Sequence, residues 1–427
     1  MKRKTIVSTS ISIAKKLPVK GAYIKFESVA FWFWFFIGIE PCLTFLFFIN
    51  QPAIGTLVGY IPPAIFAFFL LTTLLIGGQL RHAEILKSMS VKMLLALSFW
   101  AGLTMFWTGA NPRFSAFGYW AILALKIFIV LLLFLLGNVE KVAIKSLQGL
   151  TWGSLILGLV PFILNARTID GRLGNEEFFH PNNIGNQMAI TCLCAIYLAL
   201  QSWGKASERR PYIVMLLFLL FTLLRSLSKT SILSFLIAAS VYVLRSQISA
   251  QKKINLVLIS GGIIAVSFTR LSTYLDTYLN EQQGGEALAT GTGRTQIWEM
   301  TWNRIQENPI WGYGYQSYRD IADQIIGLRL VHPHNEVLNI WFNLGGVGLL
   351  LGVLTYIAYS WQVYCAAKAR LPQEALALSL LIYFIIRGAT EATVPDFLVY
   401  PSSLMMLMIG WMAQSQTVSS NNKDNYG

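Results

Sequence analysis

Long apolar runs, separated by short polar connections, dominate this chain of 427 residues. A helix that crosses a bilayer needs about 20 largely apolar residues, and about twelve stretches reach or approach that length. The predicted spans cover residues 29–49, 57–78, 93–108, 117–137, 146–165, 184–203, 211–227, 230–248, 254–270, 336–360, 373–391 and 397–414. The pattern predicts an all-α polytopic membrane protein rather than a soluble protein of several domains.

The charged residues divide unequally between the two sides of these predicted helices. Only 12% of the residues are charged, yet the formal net charge is +13. Lysine and arginine concentrate in the N-terminal segment and in alternate loops, which predicts that these loops and both termini are cytoplasmic. The positive charge then serves orientation and contact with anionic membrane lipid, so no nucleic-acid partner is expected.

The chain divides into three parts on this reading. Residues 1–28 form a basic cytoplasmic segment, residues 29–414 form the transmembrane helical domain, and residues 415–427 form a polar, disordered cytoplasmic tail. One large outer loop, residues 271–335, interrupts the helical domain. Apolar residues recur at helical spacing from Gln296 to Asn308, which predicts a helix inside this loop. Loops of this length usually carry function.

A histidine at the end of the large loop is the first candidate for chemistry. Pro333 precedes His334 and suits the start of the next helix. The positive end of the helix dipole disfavours an imidazolium there, so His334 could accept a proton from a hydroxyl. The alternative is an interfacial histidine that only bonds to loop backbone.

Several cations at membrane depth form a second candidate feature. Charges in such places normally face a cavity or a partner. A cluster toward the outer half of the membrane would suit a diphosphate, which needs donors from several directions. Alternatively, Arg387 pairs with Glu391 along one helix face, and Lys126 bridges helices through carbonyls or an acid. The cations are Lys126, Arg225, Lys229, Arg387 and, in the loop, Arg294.

A second histidine opens the predicted sixth helix in the run from His180 to Asn183. His180 and the two amides, Asn182 and Asn183, could bind sugar hydroxyls, or the helix start could simply be capped by Asn182 or Asn183. The glycines at 345, 346, 348 and 352 predict close helix packing. We find no cluster of metal ligands and no nucleotide-binding glycine loop in the sequence, so neither a metal nor a cofactor is expected.

Together these motifs resemble the signature of the bacterial O-antigen ligase and O-antigen polymerase superfamily. His334-Asn335 is followed after nine residues by Gly345-x-x-Gly348. The stretch from Gly293 to Trp298 is similar to the family's Gly-Arg-x-x-x-Trp element. The stretch from Asn308 to Tyr315 is similar to its Pro-x-x-Gly-x-Gly element. Residues 180–182 resemble the His-Pro-Asn motif of its exopolysaccharide polymerases. Residues 228–230 stand where many members carry Ser-Arg-Thr.

The resemblance implies a GT-C-like, metal-independent glycosyltransferase in the bacterial inner membrane, with its active site at the periplasmic face. The donor would be a glycan on undecaprenyl diphosphate, and the acceptor a hydroxyl of another glycan or lipid. His334 and Arg294 would be catalytic, and Lys229 or Arg225 would contact phosphate. Lysine at 229 departs from the family's arginine and lacks its bidentate fork. Asn335, His180, Asn183 and Arg387 complete the predicted substrate-binding set.

Three functions stay open from the sequence. A polymerase, slightly favoured by the motif at 180–182, would join repeat units and could work with a chain-length regulator. A ligase would transfer the glycan to lipid A–core. A flippase or other transporter of lipid-linked glycans would form no covalent product, and the absence of two similar halves argues against it.

Overall fold

The computed structural model describes residues 25–48, 52–76, 80–168, 171–174, 180–202, 204–246, 249–251, 253–255, 258, 294–326, 332–391 and 403–413. Within these ranges α-helices dominate and no β-strand forms beyond an isolated bridge between Arg167 and Leu173. The predicted all-α class is therefore confirmed. The helices are α1 Phe26–Phe48, α2 Pro52–Leu75, α3 Met89–Thr104, α4 Arg113–Leu136, α5 Val139–Ile163, α6 Pro181–Gln201, α7 Ala206–Arg225, α8 Lys229–Arg245, α9 Arg294–Glu307, α10 Tyr318–Ile326, α11 Glu336–Lys368, α12 Glu374–Gly388 and α13 Ser403–Ala413.

Six stretches among the described helices are long and apolar enough to cross a membrane. They are Phe26–Leu43, Met89–Trp107, Arg113–Leu136, Val139–Ile163, Pro181–Gln201 and Glu336–Lys368. The protein is thus a polytopic membrane protein, while the predicted number of about twelve spans stays a prediction. The predicted span 254–270 lies almost wholly outside the described residues, as do the N-terminal 24 residues and the tail from 414.

Helices α1 and α5 approach each other closely because small residues face each other across the contact. A Cβ atom on Gly149 would lie 2.1 Å from the carbonyl oxygen of Phe31, and one on Gly153 would lie 2.2 Å from that of Phe35. The four-residue spacing of these glycines is the pattern that lets helices pack backbone to backbone in a membrane. Helix α5 also packs against α6, so the close α1–α5 contact lies behind the helix that carries Asn182.

The structure shows which partner the buried Lys126 has, a point that the sequence left open. Its Nζ lies 2.5 Å from Oε2 of Glu40, and its side chain is only 4% exposed. A buried cation needs such a partner because an unpaired charge is very unfavourable at this depth. Lys126 therefore bridges α4 to α1 through an acid, and this pairing gives it a role apart from the outer cluster of cations.

Helix α11 corrects the prediction of one uninterrupted span at 336–360. Gly345 has φ 68° and ψ −174°, so the chain breaks there into two helical halves. Glu336 lies nine residues before this glycine, yet its Oε1 accepts a 3.0 Å hydrogen bond from the hydroxyl of Tyr356, eleven residues after it. A straight helix would separate the two by about 30 Å. The second half therefore folds back along the first.

The glycines near this reversal have the predicted packing role, but between the two halves of one helix. A Cβ atom on Gly352 would contact Ile340 at 3.4 Å, and one on Gly348 would meet Leu344. Gly345 has a different role, because a Cβ there would lie 2.1 Å from the carbonyl oxygen of Ile310. Only glycine combines that positive φ with so close a backbone approach.

The outer loop packs its helices on the first half of α11. Ile305 of α9, Tyr318 and Ala322 of α10 and Phe342 of α11 form a separate small hydrophobic cluster. The predicted helix 296–308 is confirmed as α9, which begins two residues earlier at Arg294. This packing brings the first residue of α9 beside the loop that leads into α11.

Candidate active site

A buried carboxylate, Glu391, is the centre of the candidate site. It lies just beyond the end of α12 and is only 3% exposed. Its Oε2 is 2.9 Å from Nδ1 of His334. Its Oε1 accepts hydrogen bonds from Nη2 of Arg294 at 2.9 Å and from Nδ2 of Asn182 at 3.1 Å. One acid thus joins three segments that are far apart in the sequence.

The starts of two helices deliver the histidine and the arginine. His334 has φ 53° and immediately precedes Asn335, the N-cap of α11. Arg294 is the first residue of α9. The indole nitrogen of Trp298, one turn along α9, donates a 2.9 Å hydrogen bond to the carbonyl of Pro333. This bond ties the two helix starts together.

The acid and the amide are held by α12 and α6. The backbone N–H of Glu391 donates to the carbonyl of Arg387 at 2.8 Å, so the last turn of α12 sets its position. Asn182 lies in the first turn of α6, where Nδ1 of His180 accepts a 3.2 Å hydrogen bond from its backbone N–H. The cap is therefore His180, which corrects the alternative in which Asn182 or Asn183 caps this helix.

Charge and burial determine the protonation states around the carboxylate. Burial by itself would raise the pKa of Glu391, but the hydrogen bond from His334 and the positive charge of Arg387 outweigh it and hold that pKa well below its usual range. An ionised carboxylate only accepts hydrogen bonds, so Nδ1 of His334 is the donor. In the neutral ring, Nε2 then carries the lone pair and is available to a substrate hydroxyl.

A second histidine, His332, packs edge to face against His334 with ring centroids 4.6 Å apart. Burial lowers the pKa of His332 to about 3, and the charges of Arg387 and Arg294 add to this effect against the attraction of Glu391. His332 is therefore neutral at physiological pH. It adds no positive charge that would compete for the carboxylate.

Further cations surround the amide of Asn182. Nη2 of Arg172 donates to its Oδ1 at 2.7 Å, while Nε of the same guanidinium donates to the carbonyl of Ser226 at 3.1 Å. Arg387, only 3% exposed, reaches the carbonyl of Asn182 and the hydroxyl of Ser231, each at 3.5 Å. Asn182 thus connects the carboxylate to two arginines.

The other predicted binding residues lie at the edge of this cluster. Lys229 is the exposed first residue of α8 and lies within electrostatic reach of Arg172. Arg225 ends α7, where its carbonyl accepts a 3.2 Å hydrogen bond from Leu173. Asn183 is exposed in the first turn of α6. Their predicted contacts with substrate stay predictions.

Asn335 is close to His334 but is engaged within the protein. Its Oδ1 accepts from the backbone N–H of Leu338 at 3.0 Å, and its Nδ2 donates to the carbonyl of Ala389 at 3.1 Å. The side chain therefore caps α11 and ties it to the segment that carries Glu391. Its predicted role in binding substrate stays a prediction.

Sequence reasoning missed the central acid and two of its neighbours as site residues. The sequence leaves open that Glu391 pairs with Arg387 along one helix face, but α12 ends at Gly388 and the carboxylate bonds His334 and Arg294. The available signal was the rarity of acids in this apolar chain, which has only 20. The sequence offers Asn182 as a helix cap or a sugar ligand, and none of its motifs includes Arg172.

The same cluster contains a set of groups that a divalent metal could use. His332, His334 and Glu391 present ligand atoms that all lie within 4.8 Å of one another. Two histidines and one carboxylate suit several transition metals. However, both carboxylate oxygens already accept hydrogen bonds, and the guanidinium of Arg294 lies 2.9 Å from one of them. A positive charge so close disfavours a bound cation.

Comparison with known proteins relates this cluster to a family. Residues 214–353 match the family model described as O-antigen ligase. The chain is 35% identical over 107 residues to an O-antigen ligase of Salmonella typhimurium, which covers 21% of this chain and 26% of that protein. It is 30% identical over 142 residues to an O-antigen ligase of Pseudomonas aeruginosa, covering 31% and 33%. A Rickettsia prowazekii protein, named a candidate polysaccharide ligase, is 25% identical over 73% of this chain and 83% of its own length.

The fold and the cluster define a multi-pass membrane protein with a buried acid, a histidine and arginines gathered at one set of helix ends. The resemblance to the O-antigen ligase superfamily seen in the motifs is confirmed by this family model and by the two ligases. The match to the two ligases spans only about a quarter to a third of their length. The family model spans Arg294 and His334, whereas Asn182 and Glu391 lie outside it.

Proposed function

We propose that this protein is a membrane glycosyltransferase that moves a glycan from undecaprenyl diphosphate to an acceptor hydroxyl. The observation that carries the proposal is the Glu391–His334 pair with Arg294 on the same carboxylate. A histidine oriented by an acid is the usual arrangement for removing a proton from a hydroxyl. A guanidinium beside it suits a phosphate leaving group.

The proton transfer begins with the acceptor hydroxyl near Nε2 of His334, whose ring is about a quarter exposed. The hydroxyl oxygen attacks the anomeric carbon of the donor sugar while its proton passes to Nε2. Glu391 holds the ring through Nδ1 and stabilises the imidazolium that forms. No other proton carrier is needed for this step, because the proton ends on the histidine as the new glycosidic bond closes.

The leaving group departs on the opposite side of the anomeric carbon. The bond between this carbon and the diphosphate oxygen breaks, and the electron pair stays with the lipid diphosphate. Arg294 bonds Glu391 through one nitrogen, and a guanidinium has five N–H donors in all, so it can also reach a phosphate oxygen. Lys229 and Arg225 at the neighbouring helix ends, and Arg172 in the loop between α5 and α6, supply further positive charge.

Relatives and motifs favour different acceptors. The family model and the two relatives with the highest identities quoted above are named as O-antigen ligases, which favours lipid A–core as the acceptor. The motif at residues 180–182 favours a polymerase that extends a second lipid-linked repeat unit. Deletion of the gene distinguishes them, since loss of a ligase leaves long chains on the carrier lipid and loss of a polymerase leaves single repeats on the core.

The proposal predicts covalent transfer by the purified full-length protein. With a lipid-diphosphate oligosaccharide and a glycan acceptor, we expect free lipid diphosphate and one new glycosidic bond, measured by mass spectrometry. EDTA should leave the rate unchanged, because the guanidinium of Arg294, 2.9 Å from Oε1 of Glu391, disfavours a cation beside this carboxylate. Movement of the lipid across the bilayer without a covalent product would instead support the transporter. Loss of activity in EDTA, restored by a divalent ion, would show metal dependence.

The site is proposed to face the periplasm, with both termini in the cytoplasm. Gln306 is exposed on α9 and Ser249 is exposed in a loop predicted to be cytoplasmic. In a background with Cys365→Ser, Gln306→Cys should react with an impermeant thiol reagent in intact spheroplasts. Ser249→Cys should react only after lysis, because basic loops remain inside. The reverse labelling pattern would invert the orientation.

A further inference from the structure

Two short segments of the site repeat the same local structure. Each reads histidine, proline and then a residue that contacts the central acid: His180-Pro181-Asn182 and His332-Pro333-His334. In the first, Nδ1 of the leading histidine accepts a 3.2 Å hydrogen bond from the backbone N–H of Asn182. In the second, the same atom of His332 accepts from the backbone N–H of His334, also at 3.2 Å. We call these two segments the His-Pro turns.

The proline in the middle explains why the histidine ring bonds the backbone N–H of the third residue. Its ring fixes φ near −65° and removes the N–H that would otherwise lie next to the histidine ring. The first available backbone donor is therefore the N–H of the third residue. A side-chain acceptor two residues before that donor closes the turn, as an aspartate or asparagine does in an Asx turn.

The two turns converge on opposite oxygens of one carboxylate. Asn182 donates to Oε1 of Glu391 at 3.1 Å, and His334 bonds Oε2 at 2.9 Å. One turn begins α6 and the other leads into α11, and 150 residues separate them in the chain. The third position of each turn is thus aimed at the same acid from two sides.

We propose that His180 and His332 are a matched pair of positioning residues, whose ring acceptors aim Asn182 and His334 at Glu391 for the glycan transfer proposed above. Neither imidazole then contacts the sugar or exchanges a proton with it. This gives His180 a different role from the substrate binding predicted from the sequence.

The protonation of the two rings agrees with this role. A ring nitrogen accepts a backbone N–H only when it carries no proton, so each ring must be neutral with its proton on Nε2. The low pKa of His332, about 3, keeps that ring neutral. His334 has the opposite tautomer, with the proton on Nδ1 toward the carboxylate. The strained backbone of His334 at φ 53° also needs support of this kind.

The test replaces each leading histidine in two ways. Asparagine keeps an acceptor for the N–H two residues later, whereas leucine removes it. We expect His332→Asn and His180→Asn to stay within about threefold of the wild-type kcat. We expect His332→Leu to lose about 100-fold, the order expected for a misplaced catalytic group, with the donor KM nearly unchanged. Membrane abundance and melting in detergent show whether each variant folds.

Equal losses in the asparagine and leucine variants would overturn the proposal, because the imidazole itself would then be required. Full activity in the leucine variants would overturn it as well. A second measurement does not depend on turnover. With only four histidines in the chain, ¹⁵N-histidine labelling should resolve the tautomers by NMR. We expect Nδ1 of His180 and His332 to lack a proton and Nδ1 of His334 to carry one.

The two measurements separate the failure of one idea from that of the other. If the wild-type protein forms no glycosidic bond but the tautomers are as expected, the proposed function is wrong, while the positioning of Asn182 and His334 by the His-Pro turns remains supported. If transfer occurs but Nδ1 of His180 or His332 is protonated, the positioning role of these histidines is wrong, while the proposed function remains supported.

Discussion

Replacing His334 by alanine is expected to lower kcat about 1,000-fold, within the range that a general base contributes. The variant loses the imidazole that contacts the carboxylate of Glu391 at 2.9 Å and can accept a proton through its second nitrogen. The KM for the lipid-linked donor should change little, because the arginines remain in place. Single-turnover transfer with a defined donor and acceptor measures both quantities.

The matched control is His82→Ala, since His82 is the one histidine of the chain outside the His-Pro turns and the carboxylate cluster. It lies before the short 3₁₀ helix Ala83–Lys87, where its carbonyl accepts the N–H of Ile85. We expect wild-type turnover from this variant. Unchanged kcat in His334→Ala would show that another group takes the proton and that His334 is not the base.

Replacing Glu391 by glutamine is expected to lower kcat by about 10² to 10⁴, as the loss of the orienting carboxylate does for a catalytic histidine. The amide has almost the same shape but only one acceptor oxygen. If this oxygen faces Arg294 and Asn182, the NH₂ group meets Nδ1 of His334 and forces the proton to Nε2. The base is then in the wrong tautomer. If the amide has the opposite orientation, its NH₂ group faces the donors of Arg294 and Asn182, and both hydrogen bonds are lost.

Glu374→Gln is the matched control for this substitution. Glu374 begins α12, the helix whose other end leads to Glu391, and it also pairs with an arginine, at 3.0 Å from Arg245. Both variants remove one buried, arginine-paired acid, so their effects on folding should be similar. Only Glu391→Gln should reduce kcat at equal membrane abundance. Wild-type kcat in Glu391→Gln would show that the carboxylate of Glu391 is not needed for the transfer.

The sequence anticipated those features that depend on neighbours along the chain. The length of the apolar runs predicted the helices, because a bilayer imposes the same requirement on each of them. The apolar spacing from Gln296 to Asn308 predicted α9 within two residues at its start. His334 and Arg294 stood out because a polar residue at a helix start in an apolar chain needs an explanation.

Local patterns misled where the fold added a distant partner. The apolar run 336–360 was long enough for one span, but the positive φ of Gly345 turns it back on itself. The carbonyl of Ile310, from the large loop, approaches this glycine so closely that a Cβ atom there would lie 2.1 Å from it. The capping bonds of Asn335 also depend on the fold, because its amide reaches the carbonyl of Ala389 beyond the end of α12 as well as the N–H of Leu338. A helix period contains no information on such contacts.

The sequence by itself therefore determined the class of protein, the approximate positions of its helices, and the histidine and arginine of its large loop as candidates for the site. Only the tertiary structure decided that these side chains share one acid. Asn182, His334 and Glu391 meet although more than 50 residues separate any two of them. Hydrophobic periodicity reports which face of a helix is buried, but the meeting of three helix ends depends on how the bundle packs. That packing gives His334 its partner, its tautomer and its proposed role as a base.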